Sequence, residues 1–264
     1  MNILETIVAR KKLEVENSKK NKSIAELEKG PFFKNETLSF KDYLLRTDKT
    51  GIIAEFKRKS PSRGIINDTS NVAEVTTAYC QHGASGISIL TDTDFFGGSL
   101  QDLLAATIND VPLLRKDFMI DEYQLLESKA YGAEVILLIA ACLSVEDVRK
   151  LAGFAKNIGL NVLLEIHNEK ELEHICDEVD VVGVNNRDLT TFVVDINCSI
   201  DLAGKIPGDK MKISESGIDS VVTIMELKKY GYNGFLMGEQ FMKQIDPGVA
   251  FKKFTDALNK ANEI

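Results

Sequence analysis

Eight short apolar runs recur along the chain, and a stretch with helical periodicity follows each of them. The runs are continuous rather than alternating, which is typical of strands that are covered on both faces. Their centres lie about 20 to 35 residues apart, which fits one strand, one helix and the connecting loops. The runs occupy residues 52–56, 87–90, 111–114, 135–140, 162–166, 179–184, 211–214 and 235–237.

Recurrent signals for helix ends support this division. A glycine lies just before four of the strands, where it can adopt the left-handed conformation that ends a helix. These glycines are Gly83, Gly132, Gly159 and Gly231. Capping-box patterns at residues 121–124 and 144–147, together with Pro247 after an aspartate, predict three helix starts.

Eight strand–helix units in a chain of 264 residues predict an α/β fold, the (β/α)8 or TIM barrel. The alternative is an open doubly wound sheet, which normally has fewer strands and a G-x-G-x-x-G first turn. That turn is absent from this sequence. We therefore expect one TIM-barrel domain over residues 1–264, with the barrel itself over 51–264.

Residues 1–50 precede the first strand and are predicted to form an N-terminal helical extension. Apolar positions between residues 3 and 8 follow a helical period, and Ser39 is placed to cap a second short helix. A segment of this size rarely folds alone, so we expect it to cover one end of the barrel. The dense Lys and Glu residues of positions 10–29 are interpreted as a solvated helix face.

Composition excludes several classes of protein. The formal net charge of −8 argues against a general nucleic-acid binder. A small anionic ligand remains compatible, because a local basic cluster acts within a Debye length of about 8 Å. No apolar run of about 18 residues predicts a membrane span, and residues 1–5 do not resemble a secretory signal. A cytoplasmic protein is expected.

The four cysteines and three histidines show no metal-binding or disulfide spacing. A reduced protein without a bound metal is therefore expected. His82 and His174 are interpreted as helix-end residues. His167 follows the fifth strand, so it could line a site. The cysteines are Cys80, Cys142, Cys176 and Cys198.

Charged and amide side chains are concentrated where the predicted strands end. The carboxyl ends of barrel strands meet at one mouth, which is where active sites of this fold lie. Glu55 and Lys57 end the first strand, and their spacing of two places them on the same face. The other strand-end groups are Arg115, Lys116, Asp117, Glu165, Asn185, Asn186, Arg187, Asp188, Glu215, Ser216 and Glu239. So many such groups at one mouth predict an active site.

The types of these residues indicate proton transfer on an anionic substrate. A lysine in a partly desolvated site can serve as a general acid if carboxylates keep it charged, and a glutamate there can accept protons. Ser216, Gly217 and Gly238 follow the seventh and eighth strands, where this fold usually binds phosphate.

Several motifs resemble those of the indole-3-glycerol phosphate synthase family, and the resemblance covers almost the whole chain. They are EFKRKSPS at 55–62, FFGGSL at 95–100, LRKDF at 114–118 with YQ at 123–124, LE at 164–165, GVNNRDL at 183–189 and SESGI at 214–218. One departure is Glu239, where some members of the family carry a small hydroxyl residue.

The resemblance implies a reaction that needs no cofactor. The substrate would be 1-(2-carboxyphenylamino)-1-deoxyribulose 5-phosphate, a small anion with a carboxylate and a phosphate. Ring closure onto its carbonyl carbon, followed by loss of CO₂ and of water, would give indole-3-glycerol phosphate. A monomer is expected, and association with other enzymes of the pathway stays open.

The resemblance also implies catalytic roles. Lys116 would be the general acid that protonates the carbonyl oxygen, and Glu165 and Lys57 would take part in the acid–base steps. Glu55 would orient a lysine, and Asn185 would position the forming hydroxyl. Ser216 is the sixth residue of this expected catalytic set.

Substrate-binding roles follow from the same resemblance. The residues expected near the substrate's carboxylate are Ser60 and Arg187. Those expected near its phosphate are Lys57, Ser216, Gly217 and Gly238. The aromatic ring would pack against Phe96, Phe118, Leu137 or Leu138, and Leu189. Glu215 is also counted among the substrate-binding residues.

Three other functions compete with this reading. Phosphoribosylanthranilate isomerase is another sugar-phosphate barrel, but that family has a cysteine general base at the end of the first strand, and this chain has none there. A Schiff-base aldolase would use Lys116 as a nucleophile. A catalytically inactive barrel would serve as a binding module.

Overall fold

The predicted TIM barrel is confirmed: eight parallel strands, β1 to β8, pair in chain order and close on themselves. The structure is a computed structural model that describes residues 3–262. The strands are β1 (Ile52–Phe56), β2 (Gly86–Leu90), β3 (Leu113–Lys116), β4 (Val135–Ile139), β5 (Asn161–Ile166), β6 (Val181–Asn185), β7 (Met211–Glu215) and β8 (Gly234–Met237).

Helices precede the barrel and connect its strands. The extension contains α1 (Ile3–Asn21), α2 (Ile24–Leu27) and α3 (Phe40–Leu45). The later helices are α4 (Val72–Gln81), α5 (Leu100–Ala106), α6 (Glu122–Ala130), α7 (Val145–Asn157), α8 (Asn197–Ala203), α9 (Val221–Lys229), α10 (Glu239–Met242) and α11 (Pro247–Asn262). A 3-10 helix, Glu169–His174, joins β5 to β6, and another, Ala140–Cys142, follows β4. In the loop after β1, Lys59–Ser60 pairs with Gly64–Ile65 as a short antiparallel ribbon.

Helix ends follow the predicted signals. Both capping boxes form, at Asp121 and at Ser144, and α11 begins at Pro247. The Ser39 hydroxyl accepts a hydrogen bond from the Asp42 amide at the start of α3. The four helix-end glycines all have positive φ, between 77° and 91°.

Strand β3 lies two residues later than predicted, over 113–116 instead of 111–114. Pro112 has no N–H to give to the ladder, so the apolar run at Val111 precedes the strand instead of beginning it. At the other end, Lys116 pairs in register with Leu90 of β2. Lys116 is therefore the last residue of β3, whereas the predicted strand ended at Leu114 and left Lys116 in the following loop.

Alternation along each strand produces two buried layers. Ile52, Leu113 and Leu164 belong to the layer between strands and helices. Their neighbours along the chain, which are Ile53, Leu114 and Leu163, fill the barrel interior. Because both faces are buried, the strands appear in the sequence as continuous apolar runs.

Polar residues replace apolar ones on the inward face as each strand reaches the mouth. They follow an inward-facing residue at a spacing of two, which returns the side chain to the same face. The inward polar residues are Glu55, Lys116, Glu165, Asn185 and Glu215, and all but Lys116 are buried below a tenth exposure. This register aims the strand-end groups at one another.

The N-terminal extension covers both ends of the barrel, so the expectation of a single covered end was wrong. At the mouth, Ile7 of α1 joins the same apolar cluster as Phe118 and Ile139. At the opposite end, Phe40 of α3 packs against Gly86, the first residue of β2. The short segment between α1 and α3 therefore runs along the outside of the barrel.

The interpretation of positions 10–29 as a solvated face was wrong at Lys11, which is 1% exposed. Lys11 follows Ile7 by about one helical turn, so both side chains lie on the face of α1 that packs against the barrel. Its ammonium lies 2.9 Å from Asp92, 2.8 Å from Asp117 and 2.8 Å from Glu14. The two aspartates come from loops after β2 and β3, which helical periodicity cannot reveal.

No helix within residues 3–262 is long and apolar enough to cross a membrane. The cytoplasmic location and the division into an extension over 1–50 and a barrel over 51–264 stay predictions. Residues 1, 2, 263 and 264, which include the predicted domain bounds and part of the N-terminal segment read for a secretory signal, lie outside the described residues.

Candidate active site

A cavity of about 430 Å³ opens at the carboxyl ends of the strands. This volume suits a small-molecule ligand. One wall is apolar and includes Phe96, Phe118, Leu137 and Leu189, which pack in one cluster. Basic groups line other parts of the cavity, and they are Lys57, Arg63, Lys116, Arg187 and Lys243. The cavity can therefore hold a molecule with both an aromatic part and anionic groups.

Lys116 lies between two buried glutamates. Its ammonium is 2.6 Å from Glu165 Oε2 and 2.8 Å from Glu215 Oε2. Burial by itself lowers the pKa of Lys116, but the charges of these two carboxylates outweigh burial and raise it above its ordinary value of 10.5. Lys116 is therefore charged at neutral pH and carries a proton that it can donate.

The two glutamates that flank Lys116 titrate differently. Burial raises the pKa of Glu215, and the nearby charge of Glu165 adds to this, so that despite Lys116 it reaches about 7. Burial also acts to raise the pKa of Glu165, but Lys116 and His167 together bring it below its ordinary range. Glu165 is therefore ionised at neutral pH, whereas Glu215 can carry a proton there.

A second ion pair lies at the end of β1, where Lys57 Nζ is 2.8 Å from Glu55 Oε1. Gly238 makes room for it, since a Cβ at that position would lie 2.7 Å from the Glu55 Cβ. In the same way, a Cβ at Gly183 would lie 2.4 Å from Glu215 Oε1. These two glycines provide the space that the buried carboxylates occupy.

The loop after β6 places an amide and a guanidinium at the mouth. Asn185 is the last residue of β6, and its Oδ1 accepts a hydrogen bond of 3.0 Å from the Arg187 amide. The Arg187 guanidinium lies 3.7 Å from Glu239, and Arg63 approaches the same carboxylate at 3.1 Å. Glu239 therefore links the loop after β1 to the loop after β6.

The loop after β7 turns sharply where a phosphate site was predicted. Ser216 and Gly217 both have positive φ, of 64° and 71°. A non-glycine residue in this region is strained, and such strain is concentrated at functional sites. The side-chain amide of Asn186 donates a hydrogen bond of 3.0 Å to the Ser216 carbonyl and so holds the turn.

The structure brings to this one cavity all the residues that were expected to have catalytic or substrate-binding roles, but not the strand-end residues Arg115, Asn186 and Asp188. Its lining includes Glu55, Lys57, Ser60, Phe96, Phe118, Lys116, Glu165, Asn185, Arg187, Leu189, Glu215, Ser216, Gly217 and Gly238. Of the two leucines that were left open, Leu137 lines the cavity, whereas Leu138 belongs to the outer layer. The individual roles of these residues stay predictions.

Arg115 does not belong to the mouth, although the sequence grouped it with Lys116. It faces the opposite way along β3 and is 2% exposed. Its guanidinium contacts Glu127 at 2.9 Å and Asp117 at 3.2 Å. Alternation along the strand could have separated it from Lys116.

Sequence reasoning missed part of the cavity wall, because α1 contributes Ile3, Leu4 and Ile7 to it. The sequence predicted that the helix carrying these residues covers one end of the barrel, but not that the residues line the cavity. The helical spacing showed that they share a face, but nothing local to α1 shows which surface that face covers.

The fold and the site together define a class: a TIM-barrel protein whose mouth holds a lysine–glutamate cluster, an apolar wall and several basic groups. The model of the family described as "Indole-3-glycerol phosphate synthase" matches residues 4–254. The chain therefore belongs to the indole-3-glycerol phosphate synthase family, as its motifs indicated. Members of this family are decarboxylating carbon–carbon lyases of tryptophan biosynthesis.

Individual relatives agree with this assignment. The indole-3-glycerol phosphate synthase of Bacteroides thetaiotaomicron is 46% identical over 258 residues, which cover 97% of this chain and 99% of the relative. That of a Polaromonas species is 38% identical and covers 94% of this chain and 96% of its own length. The crystal structure of tryptophan synthase subunit alpha from Legionella pneumophila superposes with a TM-score of 0.62 at 12% identity. It covers 85% of this chain and 98% of its own, and shows likeness of fold alone.

Proposed function

We propose that this chain converts 1-(2-carboxyphenylamino)-1-deoxyribulose 5-phosphate to indole-3-glycerol phosphate, CO₂ and water. The observation that carries the proposal is a lysine held charged between two buried glutamates beside an apolar wall. Ring closure needs an acid for the carbonyl oxygen, a base for the later proton removal, and a surface that holds the aromatic ring in place. Lys116, Glu165 and the apolar wall would supply these three.

The substrate would lie across the cavity with its ring on the apolar wall. Phe96 and Phe118, whose ring centroids are 6.2 Å apart, form part of that wall with Leu137 and Leu189. The carboxylate would contact Ser60 and Arg187. Its phosphate would lie near the turn at Ser216 and Gly217, near Gly238, and within reach of Lys57. Monomeric state and association with other enzymes of the pathway stay predictions.

Condensation would begin with Lys116. As the aromatic carbon attacks the carbonyl carbon, negative charge develops on the carbonyl oxygen, and the Lys116 ammonium donates its proton there. Asn185 would hold the resulting hydroxyl. The ring has now become an iminium cation that still bears its carboxylate.

Loss of CO₂ would restore a neutral ring, because the electrons of the breaking carbon–carbon bond return to the iminium. This step requires no further proton from the protein. Dehydration then needs a base that takes a proton from the substrate and an acid that protonates the departing hydroxyl. Glu165 would act as the base and Lys57, oriented by Glu55, would take part as an acid.

The Schiff-base alternative is disfavoured by the same cluster. A lysine must be neutral to attack a carbonyl group, whereas the two glutamates raise the pKa of Lys116 and keep it protonated. The isomerase alternative fits no better, because Glu55 and Lys57 stand at the end of β1 where that family has a cysteine.

The test is the appearance of indole fluorescence and of CO₂ from the carboxyphenylamino-deoxyribulose phosphate, with a chelator present and no added cofactor. Lys116→Met serves as the matched inactive variant. Binding of the substrate without release of CO₂ by the wild-type protein would identify an inactive binding module. Borohydride trapping of a ketose phosphate on Lys116 would identify an aldolase.

A further inference from the structure

Glu165 and Glu215 are almost equivalent neighbours of Lys116, yet their second oxygens differ. Each side chain is 2% exposed, and each gives one oxygen to the ammonium. Glu165 Oε1 also lies 3.3 Å from His167 Nε2, an ion contact that lacks the geometry of a hydrogen bond. Among residues 3–262, Glu215 Oε1 is one of the buried polar atoms without a hydrogen-bond partner. A charged oxygen left in that position would cost more than a neutral one.

His167 is fixed in this position by the segment that follows β5. Its backbone amide donates a hydrogen bond of 2.7 Å to Glu171 Oε2, and its Nδ1 lies 3.2 Å from the same oxygen. The Cys198 thiol donates to the His167 carbonyl at 3.0 Å. With a spacing of two from Glu165, His167 continues the inward register just beyond the strand. The ring therefore points its Nε2 at Glu165.

The charges around His167 favour its protonated form. Glu165 approaches from β5, Glu171 from the 3-10 helix, and Asp188 from the loop after β6. Burial lowers the pKa of His167, but the contacts with Glu165 and Glu171 outweigh burial and raise it to about 10. Cys142 also faces Glu165 and Glu171, and burial raises the pKa of its thiol to about 12, so it stays neutral.

We propose that His167 is a positioning residue that makes the two glutamates unequal. Its imidazolium keeps Glu165 ionised, so that the carboxyl proton that the two glutamates hold near neutral pH resides on Glu215. The inference rests on the proposed roles of Lys116 and Glu165 in catalysis. Two ionised carboxylates would hold the Lys116 proton tightly, because each nearby negative charge stabilises the ammonium. With Glu215 neutral, Lys116 is a stronger acid, while Glu165 stays ionised and so has an oxygen free to accept a proton.

The test compares His167→Gln with His167→Lys. Both side chains reach toward Glu165, but only lysine carries a charge. Carboxyl resonances of protein labelled with 13C-glutamate would be followed against pH, with Glu165→Gln and Glu215→Gln used to assign the two signals. This readout requires no turnover, so it separates a failure of this inference from a failure of the proposed function.

In the wild type, the Glu215 signal should titrate near neutral pH, and the Glu165 signal should not. In His167→Gln, the Glu165 signal should begin to titrate and the acidic limb of kcat/KM should move upward by about one pH unit. His167→Lys should restore the wild-type behaviour of both. His82→Gln, a change at the end of α4 away from the mouth, should alter neither.

An unchanged Glu165 titration in His167→Gln, with only a uniform drop in rate at every pH, would overturn the proposal. If the variant does not fold, the wild-type protein still decides the question through its 15N-imidazole signals. Both ring nitrogens of His167 should keep their protons at pH 8, and a neutral imidazole at that pH would refute the inference.

Discussion

Two lysines in this molecule lie among carboxylates, one at the mouth of the barrel and one between α1 and the barrel. Lys116 contacts two carboxylates at the mouth. Lys11 contacts three carboxylates at the interface between α1 and the barrel. Burial lowers the pKa of each, and the carboxylates raise it further than burial lowers it. The two differ in access: the Lys116 side chain is 14% exposed and lines the cavity, whereas that of Lys11 is 1% exposed.

This difference shows that a perturbed lysine with carboxylate partners does not by itself mark a catalytic group. Ion-pair networks that only hold a structure together perturb pKa values in the same way. A general acid must also reach a substrate atom. In this chain, the Lys116 cluster is open to the cavity, so a bound molecule can contact the ammonium. The Lys11 cluster is closed, and it holds α1 against the barrel.

The largest expected effect is on turnover in Lys116→Met. Loss of the general acid should lower kcat by about 1,000-fold, within the usual range for such groups. Lys11→Met is the matched control, because it removes the same ammonium from the closed cluster and should leave kcat within about threefold. Steady-state indole fluorescence measures both. Comparable losses in the two variants would abolish the distinction between the clusters.

A smaller loss is expected when the base is replaced. Glu165→Gln keeps the shape of the side chain but cannot accept a proton, so kcat should fall by about 100-fold. Glu215→Gln imitates the protonated form of that residue and should cost clearly less. Single-turnover measurements of the two variants, made at the same pH, would show whether the order is as expected. A reversed order would assign the base to Glu215.

The closed cluster should show its effect in stability. Lys11→Met leaves Asp92 and Asp117 without their shared cation, and breaking a buried pair in this way costs about 3 kcal/mol. Urea unfolding would measure the free-energy change, with Lys19→Met as the control. Lys19 pairs with Asp121 in an exposed position, where a loss under about 1 kcal/mol is expected.

The pH dependence of stability should distinguish the wild type from Lys11→Met. Burial raises the pKa of Asp117, but Lys11 and Arg115 bring it below its ordinary value of 3.8. A carboxyl group with a lowered folded pKa stabilises the protein above 3.8, and this stability is lost as the pH falls further toward the folded pKa. The free energy of unfolding should therefore decline below pH 3.8 in the wild type. It should decline less steeply in Lys11→Met, and equal slopes would argue against the role of Lys11.

The smallest effect is expected at the rim of the mouth. Arg63 is 62% exposed at its side chain and contacts Glu239, and exposed pairs contribute at most about 1 kcal/mol. Arg63→Gln should therefore change KM by less than about fivefold and leave kcat unchanged. A larger rise in KM would show that Arg63 binds an anionic group of the substrate directly.

Sequence patterns were sufficient for the barrel because each strand carries its own signal. The continuous runs predicted all eight strands, and the strand-end rule brought residues such as Glu55, Lys116 and Glu165 to one mouth. The boundary of β3 was wrong because Pro112 interrupts hydrogen bonding without interrupting hydrophobicity. The same error concealed that Arg115 and Lys116 face opposite sides of the strand.

Contacts between distant segments could not be predicted in this way. Lys11 is a charged residue on a helix, and its position in the helical repeat is equally consistent with an exposed side chain and with a buried ion pair. The decision depends on aspartates from two other βα units. His167 was noticed only as a residue after a strand, and its relation to Glu165 depends on Glu171 holding the ring.

The docking of α1 also has a consequence for the order of events during synthesis. This helix is translated before the barrel, but Asp92 and Asp117, two of the partners of Lys11, belong to loops that follow the second and third strands. Alone, α1 would expose Ile7 and leave Lys11 with Glu14 but without its two aspartate partners. We expect it to stay undocked on the ribosome until β3 has emerged, so that the wall of the cavity formed by the first residues of the chain is among the later parts to be completed.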